Sequence, residues 1–577
     1  MEQSGGEFAG AKPASSSVLS GSGGEDRLSA LPDDILVLIL LLLDTAAAAG
    51  RTSILSRRWH RLWALLPELR FPAAPAPHLI ASALAAHEAA LRGLVVATTD
   101  AAPESVAAWL PAAARRLSGR LVFTNRAPGS SGRRDGGGEE EAEKGGAFEL
   151  PCFGRAAALS FDLGFLGLAV PPAGVFGARL VEISLERVRF AGGAAELGAA
   201  VSSPRCPCLQ KLSVRDARGL DNLAICSESL LEVQLQDLDG LRRLAVAAPA
   251  LQDLRVYGCF YHNKPVADIS APQLVYFEWS DPYDPSSVKL GEMAQLRVLF
   301  TGLGYLVYGP PDMRNDGDML GLLKRFPVVR ALIIPLVYFK DIRNSQYLMG
   351  DITTLPHVTF LNLVVLNKGH AFGASLFHVL RLCSGIRKLL LAYAPRELEA
   401  QHTCPSGCIC DQQTNWKTEE LLLNHLEEVY VLRLKGYERE VPFMKQLFNR
   451  APMLKEVTFV FDGSVSESKA AKFRPKLSRF FRPETRVEFY MSCDKREVKS
   501  VYLLVLEDRR STRWLGVLKK IILSARKQIV LGACTLQFLC VLVYYMLAYP
   551  YEMFSASIPW WRVVGWLYAG CIARCFS

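Results

Sequence analysis

His402, Cys404, Cys408 and Cys410 come nearest, by residue type and spacing, to a reactive or metal-binding constellation in this chain. One imidazole and three thiolates are soft donors of the kind that hold zinc. The C-x3-C-x-C spacing, however, is not that of a standard finger or ribbon. No second cysteine pair follows at the usual distance. The expectation is therefore a structural loop carrying buried or reduced thiols, with no metal and no cofactor. Cys206 and Cys208 precede a predicted strand and read as small buried residues. The chain has no phosphate-cradling G-x-x-x-x-G-K-[ST], no H-E-x-x-H and no G-x-S-x-G, and its nine histidines do not pair at ligand spacing. Glu427 and Glu428 lie beside a predicted strand and are expected to face solvent. No catalytic residue is assigned, so any part in catalysis would come from bringing a substrate to another subunit.

The elements that carry these residues are long and apolar. Of 577 residues half are hydrophobic, enough for several domains or one long repeat array. The net charge of +9 is mild, and no basic run interleaves with aromatics, which argues against a nucleic-acid partner. The start lacks a basic segment followed by an apolar one, so no signal peptide is expected, and the fourteen cysteines read as reduced. Residues 1–25, rich in Gly, Ser and Ala, are expected to be disordered.

Residues 26–70 carry an unusually apolar pair of helical segments. Pro32 suits a helix start, Asp33 and Asp34 put negative charge on its first turn, and Ile35 to Leu43 are apolar without interruption. In the second segment Leu55, Trp59, Leu62, Trp63 and Leu66 fall on one helical face, with Pro67 limiting its extension. Such a surface on so small a unit suggests docking. Leu31-Pro32, Ile35-Leu36, Ile39-Leu40, Leu55-Ser56, Arg57-Arg58-Trp59 and Leu62-Trp63 resemble the F-box, the helical module that binds the Skp-type adaptor of cullin-RING ubiquitin ligases. The resemblance implies that Leu31, Pro32, Ile35, Leu36, Ile39, Leu40, Leu55, Ser56, Trp59, Leu62 and Trp63 contact the adaptor. The first helix departs from the family pattern in lacking a polar residue on its outer side.

Residues 71–149 read as a connector, with 75–115 helical, a short strand at Leu121-Val122-Phe123 and a flexible charged loop at 129–146. A repeat then runs over 150–400. The pattern apolar-x-x-apolar-x-apolar begins at Leu180 and recurs, from Leu209 on at nearly even intervals, at Leu230, Leu251, Leu274 and Leu296. Half-way copies sit at Leu220 and Leu241, and looser copies at Val329, Val358, Ile386, Leu426 and Leu454. A period of 20–29 with this pattern is that of leucine-rich repeats, whose units stack because none buries its apolar face alone. Residues 401–490 resemble the FBD domain found at the end of many plant F-box/leucine-rich-repeat proteins. There a strand at Leu426–Leu432, a helix at Val441–Phe448 and a strand at Leu454–Val460 would make one more unit with a longer helix.

A basic linker, 491–528, leads to Ile529–Tyr549, an uncharged stretch long enough to span a bilayer, followed by the tail 550–577. Basic residues just before it would leave the large N-terminal part in the cytosol. The fold expected is thus α/β: a helical F-box, an irregular leucine-rich-repeat solenoid and a candidate C-terminal transmembrane helix. What the resemblances imply is a non-catalytic substrate receptor of an SCF-type ubiquitin ligase. It would bind the Skp-type adaptor, and through it a cullin-RING ligase, and present the solenoid to a protein target. Its place would be the cytoplasm or nucleus, or an intracellular membrane if the tail anchors it. The alternative is a membrane-anchored repeat scaffold with no ligase role.

Overall fold

The computed structural model describes residues 31–491 except 44, 73–75, 127–145, 171–175, 192–193, 303, 311–316, 384, 394–403, 405–406, 413–415, 417–420 and 438–439. The segment 1–25, nearly all of the 129–146 loop, His402 and the apolar stretch 529–549 lie outside the described residues. Among those described, no helix is long and apolar enough to cross a membrane.

The described chain opens with three helices. α1 (Asp33–Leu41) starts at Pro32, α2 (Ala46–Arg51) is capped by the Thr45 hydroxyl, which accepts from the Ala48 N–H at 2.9 Å, and α3 (Trp59–Leu62) is a single turn. The second segment was expected to be one helix from Leu55 to Leu66. It is broken instead into α3 and two 3-10 turns, Thr52–Ile54 and Trp63–Leu65, and Leu55 is exposed. The Ala-rich run before it forms a helix of its own.

Behind the helices lies one parallel sheet in which, among the described residues, nineteen strands are joined. Its main ladder runs in chain order from Glu68–Phe71 to Arg486–Met491. One column of apolar side chains passes through every rung. Leu69, Leu94, Leu121, Leu159, Ile183 and Leu212 stand in register. Val233, Leu254, Phe277, Leu299 and Leu332 continue it, and Leu361, Leu389, Val429, Val457 and Val487 complete it. Side chains alternate across a strand, so a column held in register keeps one face inside over the whole length. Even the looser repeats at Val329, Val358, Ile386, Leu426 and Leu454 take their places.

The connector reading changes. The sheet begins at residue 68, and within the stretch expected to be helical the β-branched run Leu91–Thr99 is a strand between the helices Pro77–Ala86 and Pro103–Ala107. The predicted strand at 121–123 extends over Leu117–Arg126.

What backs the sheet depends on unit length. The half-way copies at Leu220 and Leu241 become the strands Asn222–Cys226 and Arg243–Ala247, joined by Val266–Ser270 and Val288–Leu290 in a second parallel sheet. These shortest units leave room for a second strand but not a helix. Longer units return through helices: Gly373–Leu382, Glu440–Asn449 and Glu467–Ser478. The FBD-like part follows this plan, its strands Glu428–Leu434 and Glu456–Phe461 continuing the same sheet. The helix between them, Glu440–Asn449, matches the length of Gly373–Leu382 and is not longer as expected.

Candidate functional site

Past Asp33 and Asp34 α1 is apolar on every side, but only one stripe of it is buried. Leu36 and Leu40, one turn apart, are buried at 0% and 1% exposure, whereas Ile35, Leu38 and Leu42 are 41%, 58% and 60% exposed. A short helix can press only one stripe against the core, so the remaining apolar residues stay in water. Ile54 and Leu55, on the turn before α3, are 88% and 63% exposed. Arg58 ties the two segments together, its guanidinium donating to the Asp33 carboxylate at 2.7 Å and to the Leu31 carbonyl.

The eleven residues expected to contact an adaptor therefore divide. Pro32, Ile35, Leu55 and Ser56 are exposed, and Leu31, Ile39 and Trp63 are half-buried. Leu36, Leu40, Trp59 and Leu62 are core residues, 6% exposed or less. These four are packed into the core between the helices. Beside the exposed members of the set stand Leu38, Leu42, Leu43 and Ile54, which are exposed as well. The unbroken apolar run was the signal for the first three; only the observed break in the second segment reveals Ile54.

The helices and the sheet share one continuous apolar core. Leu66, the last F-box position with an obvious helical spacing, is also the first apolar residue of the pattern Leu66-x-x-Leu69-x-Phe71, so the first rung of the solenoid grows directly out of the helical module. The Leu66 carbonyl is met by the ring of buried His87 at 2.7 Å.

On the outward face of the sheet the side chains are polar and interlocked. Lys211 pairs with Glu232 at 2.9 Å, Arg215 donates to Gln234, and Arg255 is held by Asp253 at 2.7 Å while lying over the Tyr276 ring. Burial, only partly offset by Arg255, pushes the Glu278 carboxyl up to about 7. Glu427 and Glu428 do not face open solvent as expected. Glu427 lies between Arg387 (2.6 Å) and Lys455 (3.1 Å), and Glu428 pairs with Lys388 at 2.9 Å. They join neighbouring units, because parallel in-register strands bring position 427 of one unit beside those of the next.

Three of the four predicted soft donors converge. Cys404, Cys408 and Cys410 meet His370, and the four donor atoms lie within 4.8 Å of one another. Burial, with the neighbouring thiols adding to it, pushes the Cys404 thiol up, and burial brings Cys410 up to about 11.

Comparison with known families matches the F-box domain at residues 28–71. The most similar relatives include Arabidopsis thaliana proteins named as F-box/FBD/LRR-repeat proteins. One is 52% identical over 47 residues, covering 8% of this chain and 10% of the relative. Another is 31% identical over 150 residues, a quarter of this chain and 30% of the relative. A third is 28% identical over 281 residues, 44% of this chain and 58% of the relative. The first matches thus span about a tenth of the relatives' length. The chain carries an F-box, the adaptor-binding class of module, and is similar to the plant F-box/leucine-rich-repeat proteins.

Proposed function

We propose that this protein is the substrate-recognition subunit of an SCF-type ubiquitin ligase, docking on a Skp-type adaptor through the F-box and holding a protein target on the solenoid. The observation that carries the reading is the exposed apolar side of the F-box: Ile35, Leu38, Leu42, Ile54 and Leu55 stand in water together on one small helical module. Exposed apolar residues grouped on one small module mark an interaction site. The shared core supplies the second half of the argument. A receptor that works by proximity must hold its target at a set displacement from the adaptor, and the F-box core runs directly into the first rung of the solenoid at Leu66–Phe71. The receptor itself does no chemistry; it raises the local concentration of target lysines at a charged E2 carried by a cullin-RING assembly. The cytoplasm or nucleus is the corresponding place of work.

The test is capture of a plant Skp-type adaptor by the full chain, beside the double variant Leu31→Ala, Pro32→Ala. Capture that the variant loses, with its circular dichroism unchanged, supports docking at this site. Failure of the folded parent chain to capture any Skp-type adaptor would leave a repeat scaffold in place of a ligase receptor.

A further inference from the structure

We propose that His370, Cys404, Cys408 and Cys410 form a structural zinc site that clips the segment before the FBD-like unit onto the preceding repeat. The His370 Nδ1 atom lies 3.2 Å from the Cys404 Sγ and 3.6 Å from the Cys408 Sγ, and the Cys404 and Cys410 sulfurs are 3.6 Å apart. A tetrahedral ion with zinc–sulfur bonds of about 2.3 Å and zinc–nitrogen bonds of about 2.0–2.1 Å requires donor separations of about 3.5–3.8 Å. The set is too compact for a multinuclear iron–sulfur cluster and fits one ion. Three thiolates and one imidazole are the donors that select zinc.

The surroundings are those of a ligand sphere. The His370 Nε2 lies 3.2 Å from the Lys340 carbonyl, which fixes the proton on that nitrogen and leaves Nδ1 to coordinate. Its ring is stacked on Tyr338 and is 2% exposed. A tight turn aims it: Lys368 and Gly369 both take positive φ (45° and 90°), and the Asn367 side chain donates to the His370 carbonyl at 2.8 Å. The Ala371 N–H donates to the Cys410 sulfur at 3.4 Å, a contact that favours thiolate. Cys408 and Cys410 are both buried.

The ladder gives the clip a purpose. The register joins Phe360 to Lys388 and Glu428 to Glu456 across equal lengths of chain, but Lys388 to Glu428 across a distinctly longer one. The additional residues include the three cysteines, in a link whose described residues hold only one helix, the single turn Ile409–Gln412. The described residues of the link outside this turn form no further helix or strand before Glu428, and a metal cross-link would hold them where regular structure does not. Downstream, Trp416 stacks on Phe377 of the same preceding unit, so the link is held at a second point.

The experiment measures metal on the full chain, purified in mild detergent and passed over a chelating resin. The expected result is about one zinc per chain, with an X-ray absorption first shell of three sulfurs and one nitrogen. Replacing zinc by cobalt should give thiolate-to-cobalt charge-transfer bands. His370→Ala and Cys408→Ser should each lose the zinc, while Cys383→Ser, a buried thiol outside the set, should retain it. The parent protein's own absorption spectrum decides the matter if a variant fails to fold. A folded parent chain without metal, iron in place of zinc, a different first shell, or a Cys404–Cys410 disulfide would each overturn the assignment.

Discussion

Ile54 and Leu36 are both apolar F-box residues, and the structure gives them opposite duties. Ile54 is 88% exposed and Leu36 is fully buried. Truncating Ile54 to Ala removes side-chain atoms that touch mostly water, so folding should change by no more than about 0.5 kcal/mol. If the exposed side docks on the adaptor, the same truncation forfeits burial gained only in the complex. Full burial of an Ile or Leu side chain is worth about 1.5–3 kcal/mol. Loss of most of that from Ile54 predicts a weakening of about 1–2 kcal/mol, or roughly 5- to 30-fold in Kd. Adding Leu55→Ala, 63% exposed, should deepen the loss, though not additively, because the two are neighbours. Leu36→Ala should instead cost about 2–5 kcal/mol of stability by opening a cavity. The assay pairs titration calorimetry against purified adaptor with thermal unfolding of each variant. An Ile54→Ala, Leu55→Ala protein that binds with the parent's Kd would refute the docking surface. So would a Leu36→Ala protein of unchanged stability that no longer binds, since that would make Leu36 a contact.

Three further outcomes follow from other parts of the molecule. Glu440 is buried, accepts from the Tyr437 N–H at 2.8 Å, and burial pushes its carboxyl up to about 7. Between the unfolded value of about 4.5 and about 7 the folded state alone keeps the proton, so stability should fall as pH rises through this window, by up to about 3 kcal/mol, and level off above it. Chemical denaturation from pH 5 to 8 should show that decline, and Glu440→Gln should lessen it, the remainder coming from Glu278, whose buried carboxyl is raised to about 7 as well. At Gly373 an added Cβ would come within 2.7 Å of three atoms of the Trp416 ring. The ring is wedged against Phe377, so Gly373→Ala should lower stability by about 1–3 kcal/mol, read as a lower melting temperature with a loss of Trp416 fluorescence contrast. Finally, if Ile529–Tyr549 spans a bilayer, the full chain should resist carbonate extraction from microsomes and a version lacking those residues should not; equal extraction of both would remove the anchor.

The distribution of what was legible follows from the range of the forces involved. Periodicity is local, so the sequence carries the repeat directly: Leu209 to Leu296 step at intervals that only stacked units produce, and the half-way copies at Leu220 and Leu241 mark two strands of the second sheet. The F-box motif was equally plain, because its Leu, Pro and Trp positions lie within one short stretch. The first rungs were just as visible in principle, since Leu66-x-x-Leu69-x-Phe71 and Leu91-x-x-Leu94-x-Val96 follow the same pattern, but an Ala-rich surround made them look helical. Which side of α1 faces the core could not be read, because nine consecutive apolar residues have no period; only packing against Trp59 and Leu62 chooses Leu36 and Leu40. The environment of Glu427 was hidden because its partners, Arg387 and Lys455, are supplied by neighbouring rungs. The metal set shows the limit most clearly. The sequence by itself placed Cys404, Cys408 and Cys410 together, but the fourth donor, His370, belongs to the preceding unit, and only the stacking of one solenoid unit on the next brings it to the sulfurs.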